Sequence, residues 1–258
     1  MEKKKRYGLL LCADDSDYVK KKYGGYLSVF VDLLGSDNRD EEMWELYRVG
    51  KGEFPTEEDL STHDGFVVSG SCCDAHSDEP WIRRLLSLLK ILISMNKKVL
   101  GICFGHQILC RALGGKTGRN VRGWDIGLTT VEFLHSANKL SSLNVIQCHR
   151  DEILELPAGT EVLARSDKTK VEIFKYRDNV MGIQGHPEYN QDIVLHILQR
   201  LLDNNSKLIQ TSHAYAARDS FNRPEPNREA WKKLCRSFLK GSESTVPLTL
   251  SLREVKDH

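Results

Sequence analysis

Apolar and polar residues form alternating blocks along the first hundred positions. Continuous apolar runs at 7–12 and 65–69, and a third that ends at Leu100, are typical of central strands in a parallel sheet, which are buried on both faces. The segment 44–49 alternates as a further strand. Two stretches between these strands have helical spacing. Their predicted buried residues are Tyr26, Val29, Phe30, Leu33, Leu34, Ile82, Leu85, Leu86, Leu89 and Ile93. The pattern predicts βαβ organisation.

The second half of the chain has shorter apolar segments. Hairpin-like spacing favours an antiparallel or mixed arrangement of five short strands, predicted at 127–134, 144–148, 161–165, 171–176 and 180–184. A helix is expected from Asn190 or Gln191, and another over 228–240. The segment 204–225 between them is polar, and we expect it to be irregular.

Length and charge narrow the possible functions. We expect one domain over residues 1–240, closed by docking of the last helix, and a flexible tail over 241–258. The 37 Lys and Arg nearly balance the 36 Asp and Glu, so no global field attracts nucleic acid or an anionic membrane. No apolar run approaches the ~20 residues of a membrane helix. We therefore expect small molecules as partners.

The cysteines and the N-terminal region indicate a reducing compartment. The seven Cys have no regular spacing, and the basic residues 3–6 are not followed by an apolar signal segment. We therefore expect a cytosolic protein. Cys72 and Cys73 are adjacent and no second pair completes a zinc site, so neither a metal nor another cofactor is expected.

One stretch has the pattern of a nucleophile elbow. Residues 101–105 read Gly-Ile-Cys-Phe-Gly, between an apolar strand and a helical pattern that begins near His106. Cys103 lies on this turn, and the glycines allow close approach to a strained backbone, as in the Gly-x-Ser-x-Gly motif. Free amides at the helix start favour a thiolate over a thiol. The alternative is a buried structural cysteine in a Gly-rich turn.

A general base and its orienting group follow far downstream. A short apolar strand stops at His186, because Pro187 cannot continue it. Glu188 can accept one imidazole N–H, which leaves the other nitrogen for Cys103. His186 alone could be a satisfied core residue. Together with the cysteine elbow, however, the pattern predicts a Cys103, His186 and Glu188 triad.

These motifs resemble those of the class I glutamine amidotransferase family. The matching stretches are Gly-Ile-Cys-Phe-Gly-His-Gln at 101–107, Gln-Gly-His-Pro-Glu at 184–188, Val-Val-Ser-Gly-Ser at 67–71, and 149–157. Within that family the chain is most similar to the plant γ-glutamyl peptidases, over about residues 7–239. The resemblance implies an α/β fold with an open, mostly parallel sheet, helices on both faces, and a mixed or antiparallel extension.

The resemblance also implies an oxyanion hole next to the thiol. Its donors would be the backbone amides of Ser71 and Phe104, with Gly70 as the alternative to Ser71. The loop 72–79 is our candidate wall for the outer cleft, with its two cysteines and its histidine as lining residues. The basic connection 116–124 could meet an anionic substrate, although a solvated loop is the alternative.

A head-group site follows from the same resemblance. Gln107 and the backbone around Arg150 and Asp151 would hold the α-amino and α-carboxyl groups of the substrate. The alternative for Gln107 is that its side chain only makes contacts around its own helix. In glutamine and in a γ-glutamyl peptide the acyl group is identical, so one pocket can serve both substrates.

The expected reaction is amide hydrolysis through a γ-glutamyl thioester on Cys103. The resemblance implies a peptidase that releases glutamate from glutathione or its S-conjugates, in glutathione metabolism including glucosinolate biosynthesis, without an obligatory protein partner. One alternative is a glutaminase subunit that supplies ammonia to a separate synthetase, since this chain has no ATP motif of its own. Another is a catalytically silent binding domain, against which the intact triad argues.

Overall fold

A computed structural model describes residues 4–134, 141–203, 209–222 and 226–241 of the chain. Apart from Gly241, the predicted tail lies outside these ranges, and so do parts of the predicted irregular segment 204–225. Within the described ranges, no helix combines the length and the apolar content that a bilayer span requires.

Eleven strands and eight α-helices are present in the described ranges. The strands are β1 (Lys5–Leu10), β2 (Glu42–Tyr47), β3 (Gly65–Val68), β4 (Lys98–Ile102), β5 (Lys116–Arg119), β6 (Asp125–Phe133), β7 (Ser142–His149), β8 (Asp151–Glu155), β9 (Thr160–Arg165), β10 (Ile173–Tyr176) and β11 (Val180–Ile183). The helices are α1 (Asp17–Tyr23), α2 (Tyr26–Leu34), α3 (Glu57–Thr62), α4 (Pro80–Ser94), α5 (Phe104–Ala112), α6 (Gln191–Asp203), α7 (Thr211–Ser220) and α8 (Arg228–Lys240). Short 3-10 turns lie at Arg39–Glu41 and Val49–Lys51.

Nine of the strands form one sheet, in the order β2-β1-β3-β4-β11-β10-β9-β6-β7. The first five strands are parallel, and the remaining four continue as antiparallel neighbours. β5 and β8 pair as a separate antiparallel ribbon. The predicted α/β fold with a parallel sheet and an antiparallel extension is therefore confirmed.

Apolar side chains cover both faces of the parallel strands, since such strands are buried on two sides. On one face, α4 and α5 pack on Phe66, Val68 and Val99. On the other face, α2 and α8 pack on Val67 and Leu100. In α8 the buried side chains include Trp231, Cys235 and Phe238, so this helix docks on the sheet.

The structure corrects several element predictions. On α4 the fully buried stripe runs through Leu88 and Leu92, whereas Leu86 and Ile93 are only partly buried. Helix α5 begins at Phe104 rather than near His106, so its first amides lie directly after the elbow cysteine. The connection expected as a loop at 116–124 opens with β5, and part of the segment expected to be irregular is α7. Helices α1 and α3 were not predicted.

Candidate active site

Cys103 lies on a sharp turn at the carboxyl end of β4. Its backbone has φ 54° and ψ −104°, a region that L-residues rarely occupy, and its side chain is buried. The two flanking glycines are required by close packing. A β-carbon on Gly101 would lie 2.4 Å from the Gly105 carbonyl oxygen, and one on Gly105 would lie 2.2 Å from the Val68 oxygen. The thiol is therefore held at the N-terminus of α5, where unpaired amides favour negative charge.

His186 and Glu188 follow the neighbouring strand β11. The backbone of this segment is fixed on both sides: the Cys103 amide donates to the Ile183 oxygen at 2.8 Å, and the His186 amide donates to the Ile146 oxygen at 2.7 Å. The His186 Nδ1 lies 2.8 Å from Glu188 Oε1, and the charge of Cys103 acts on the same buried imidazole. The structure thus brings the three predicted triad side chains together.

The charges around His186 favour its protonated form. Burial by itself lowers the pKa of this imidazole, but the charges of Glu188 and Cys103 and hydrogen bonds to both raise the pKa well above its ordinary value. With Nδ1–H donated to the carboxylate, Nε2 is the atom directed to the sulfur. At two other histidines burial outweighs the interactions that favour protonation, and it lowers the pKa of His106 to about 3 and that of His149 to about 4.

The other buried cysteines are in a different electrostatic situation. Each of the seven cysteines, all within the described ranges, is a free thiol. Burial raises the pKa values of five of them and so keeps them protonated at neutral pH; these are Cys12, Cys73, Cys110, Cys148 and Cys235.

The loop after β3 lies against the triad. A β-carbon on Gly70 would be 2.9 Å from His186 Cε1 and 3.7 Å from Cys103 Cβ. Two serines fix this loop: Ser69 Oγ accepts from the Cys12 amide at 2.9 Å, and Ser71 Oγ donates to the Cys12 oxygen at 2.9 Å. The hydrogen bonds found among the described residues do not use the amides of Gly70, Ser71 or Phe104. All three predicted oxyanion donors therefore remain available.

The predicted head-group residues are Gln107 of α5, and Arg150 and Asp151 at the start of β8. Gln107 is buried, and its Nε2 donates to the Asp151 carbonyl oxygen at 2.8 Å and to Gln184 Oε1 at 3.1 Å. The Arg150 guanidinium instead lies over the Trp124 ring, 5.8 Å from its centroid. The structure therefore brings Gln107 and the Asp151 backbone together, whereas the Arg150 side chain is engaged with Trp124.

Comparison with known proteins identifies the family of this chain. The model of the family described as glutamine amidotransferase class-I matches residues 21–199. The chain belongs to the class-I glutamine amidotransferase family. γ-Glutamyl peptidase 5 of Arabidopsis thaliana is 47% identical over 95% of this chain and 100% of its own length. γ-Glutamyl peptidase 3 of the same plant is 45% identical over 93% of this chain and 99% of its own length. With relatives of this kind over nearly its whole length, the chain is a hydrolase enzyme.

A solved structure supports the amidotransferase fold. The crystal structure of a glutamine amidotransferase from Thermotoga maritima superposes with a TM-score of 0.70, covering 92% of this chain and 97% of the other, at 22% identity. At this identity the likeness concerns the fold alone. The parallel strands of this amidotransferase-family chain end next to the candidate site. Cys103 follows β4, and His186 and Glu188 follow β11, so all three lie at the carboxyl edge, where open α/β sheets place their ligands.

One aromatic residue of this amidotransferase site was missed by the sequence analysis. The Tyr189 ring stacks on the His186 imidazole with centroids 4.1 Å apart and planes 5° from parallel. The Tyr189 ring in turn lies next to that of Tyr26 of α2, with centroids 6.2 Å apart. Its position directly after the His-Pro-Glu motif was the available signal, but sequence alone does not show which way a ring after a turn faces. Stacking restricts the imidazole to the plane in which it meets Cys103.

Asp74, His76 and Asp151 form the group nearest this site that could hold a metal ion. Their candidate ligand atoms lie within 4.8 Å of one another. Arg119 already contacts both carboxylates at 3.0 Å, and a cation between them would have to displace that guanidinium. The arrangement is that of an ion-pair cluster.

Proposed function

We propose that this protein is a cysteine-dependent γ-glutamyl hydrolase that releases glutamate from glutathione or its S-conjugates. The observation that carries the proposal is the cluster of Cys103 with the hydrogen-bonded pair His186 and Glu188, in a chain related over nearly its full length to γ-glutamyl peptidases. The proposal includes a cytosolic location, a small-molecule substrate, and no obligatory protein partner, nucleic acid or membrane.

The first half of the reaction forms the thioester. The Cys103 thiolate attacks the γ-carbonyl carbon, and the carbonyl π electrons move onto oxygen to give a tetrahedral oxyanion. Protonated His186 donates its Nε2 proton to the leaving nitrogen, the C–N bond breaks, and the amine departs. Glu188 stabilises the imidazolium and holds its orientation throughout.

The second half uses water as the nucleophile. Neutral His186 accepts a proton from water as the oxygen attacks the thioester carbon, and collapse of the second tetrahedral species expels the Cys103 thiolate with glutamate. In both steps the Phe104 amide and the Ser71 or Gly70 amide would donate to the oxyanion. Gln107 and the backbone around Arg150 and Asp151 would hold the head group.

Leaving-group tolerance supports conjugated substrates. The substituent on the cysteinyl sulfur lies beyond the scissile amide, so a tight γ-glutamyl pocket is compatible with an open outer cleft. In our proposal the loop 72–79 is one wall of that cleft. The competing function is that of a glutaminase subunit, which the family assignment favours because the acyl group of glutamine is the same.

Product analysis of the isolated chain tests the proposal. Purified protein is incubated separately with glutathione, an S-alkyl glutathione and glutamine, without ATP or a partner, and glutamate is quantified by mass spectrometry. We expect a higher kcat/KM for the two γ-glutamyl peptides than for glutamine, and no release by Cys103→Ala. A clear preference for glutamine, or a need for ATP or a partner, would overturn the peptidase assignment.

A further inference from the structure

The mechanism above leaves an ion-pair cluster at the same edge of the sheet unused. Arg119, the last residue of β5, contacts two carboxylates at once: Nη2 lies 3.0 Å from Asp74 Oδ2, and Nη1 lies 3.0 Å from Asp151 Oδ1. His76 lies beside both acids, with ring nitrogens 3.8 Å from Asp74 and 3.7 Å from Asp151. One guanidinium thus bridges two segments that are distant in sequence.

Each of these two segments is in contact with residues of the proposed site. Asp74 lies on the loop that starts at Gly70, whose backbone packs against Cys103 and His186. Asp151 opens β8, and its carbonyl oxygen accepts the hydrogen bond from Gln107. Arg119 therefore connects the loop that offers oxyanion amides with the segment proposed to hold the head group.

The chemistry of the bridge favours an arginine, which hydrogen-bonds Asp74 and lies at ion-pair distance from Asp151. A guanidinium presents N–H groups in a fixed plane and can satisfy two acids in different directions, whereas an ammonium is a point charge. The Asp151 side chain is only 9% exposed, so a carboxylate without a counter-charge there would be costly.

A second arginine holds a different part of the same loop. Arg111 of α5 donates to the Ala75 oxygen at 3.0 Å, to the Ser77 oxygen at 2.6 Å and to Asp78 Oδ1 at 2.7 Å. The far half of the loop is therefore anchored to α5, whereas the half next to the triad is tied to Cys12 by Ser69 and Ser71 at its start and to Arg119 at Asp74.

We propose that Arg119 is a positioning residue, which bridges Asp74 and Asp151 and so holds the loop after β3 and the start of β8 at the separation that the γ-glutamyl group requires. The inference rests on the proposed function for its kinetic consequence only. Exchange of backbone amides tests the bridge itself without any substrate.

Hydrogen exchange followed by mass spectrometry gives the first test. Within 70–74 the Cys73 amide donates to Ser71 Oγ at 3.2 Å. In Arg119→Ala and in Asp74→Asn we expect exchange of this amide to accelerate about tenfold, because the ion pairs that oppose local opening are lost. Lys116→Ala is the matched control, since Lys116 pairs with Glu155 at 2.8 Å at the other end of the β5 and β8 ribbon. That variant should exchange as the wild type does over 70–74. Wild-type exchange in both cluster variants would overturn the proposal.

Kinetics give the second test. We expect kcat for glutamate release to fall about tenfold in both cluster variants, since an oxyanion donor acts in the transition state, while Lys116→Ala stays unchanged. Alkylation of Cys103 by iodoacetamide needs the thiolate but no oxyanion amide, so its rate should stay at the wild-type value. Added guanidinium ion should restore part of the kcat of Arg119→Ala and none in Asp74→Asn.

The outcomes separate the two proposals. Full kcat together with wild-type exchange in the cluster variants would overturn the role of Arg119, even if the wild type hydrolyses γ-glutamyl peptides as proposed. Equal losses in alkylation and hydrolysis would also overturn it, because they indicate general damage to the site. If the wild type released no glutamate, the proposed function would fail and exchange would still decide the bridge. If Arg119→Ala did not fold, Asp74→Asn would decide both measurements.

Discussion

Among the thiols of this chain, Cys103 combines a strained turn, a helix N-terminus and a charged histidine partner. Burial raises the pKa values of five others, and Cys72 is exposed. We therefore expect Cys103→Ala to abolish glutamate release, and Cys72→Ala and Cys235→Ala to keep it. Turnover by mass spectrometry and the mass shift after alkylation check this. Activity in Cys103→Ala that disappears in a variant of another cysteine would contradict the assignment.

Removal of the Glu188 charge should change the pH dependence of the reaction. Without that carboxylate the pKa of His186 should fall, so the imidazolium that protonates the leaving amine persists only to a lower pH. In Glu188→Gln we expect the alkaline limb of the kcat profile to move to lower pH. The loss of activity should be smaller than in Cys103→Ala, by a gap of roughly two decades as in serine hydrolase triads. Proton NMR titration of His186 in Cys103→Ala, with and without Glu188→Gln, measures the pKa directly; identical titrations would contradict this account.

At the scale of elements, the close contact between α5 and β3 is possible because Gly105 has no side chain. Gly105→Ala would bring a β-carbon to 2.2 Å from the Val68 oxygen, so the helix must move away from the strand. We expect a loss of about 3 kcal/mol or more in the free energy of unfolding, at the upper end of overpacking effects. Gly50→Ala is the control, because its β-carbon would meet only the Cys12 oxygen, at 3.4 Å. Urea titration of both variants compares them, and equal midpoints would refute the packing argument.

A buried acid links β7 to β10 and makes the stability of this region depend on pH. Glu172 precedes β10 and accepts from Gln147 Nε2 at 2.8 Å, and burial raises its pKa from 4.5 to about 7. The folded chain therefore binds more protons than the unfolded chain between these values, and this contribution to stability falls as pH rises through them.

Glu172→Gln should remove that dependence. At pH 8 we expect the variant to be more stable than the wild type by on the order of 2–3 kcal/mol, and the difference should shrink towards pH 4. Exposed Glu155→Gln should leave the pH profile unchanged apart from its surface ion pair. Urea titrations at several pH values give the comparison. A difference that does not vary with pH would rule out titration of Glu172 as its cause.

The helices and strands that the sequence predicted have large apolar side chains at regular spacing. The helices that it missed are defined instead by small contact residues or by capping residues. The strand before Cys103 and the helix after Pro80 show strong apolar patterns. Helix α7 packs on β6 through small residues instead: a β-carbon at Gly127 would lie 3.0 Å from Ala217 Cα. Small contact residues leave little hydrophobic signal. Two short helices did carry capping signals, Ser16 before α1 and the Thr56 and Asp59 capping box of α3.

The residues of the candidate site likewise divide into those that sequence patterns predicted and those that they missed. The triad was predictable because its residue types are unusual at strand ends. The contacts of Arg119 with Asp74 and Asp151 depend on the ribbon of β5 with β8, which was itself not predicted. The orientation of Arg150 towards Trp124 is likewise a tertiary contact, and no local pattern encodes it.

For the molecule as a whole, the triad is held by the centre of the large sheet. β4 and β11 are neighbours, with Ile102 opposite Ile183, and each has a further strand on its other side. Separation of Cys103 from His186 therefore requires the central strands to part. We expect loss of activity in urea to coincide with loss of far-ultraviolet circular dichroism, because no smaller opening separates these strands. Activity that disappears at clearly lower urea would contradict this coupling.

The order of these neighbouring strands also affects the protein while it is being made. β4 leaves the ribosome early, and roughly 80 further residues must follow before His186 emerges, which takes about 4–16 s at the usual rates of synthesis. During that interval the nascent chain has a thiol without its base or its carboxylate. Only insertion of β11 between β4 and β10 completes the site. We therefore expect no hydrolysis by a chain that ends before β11, because it lacks His186 and Glu188.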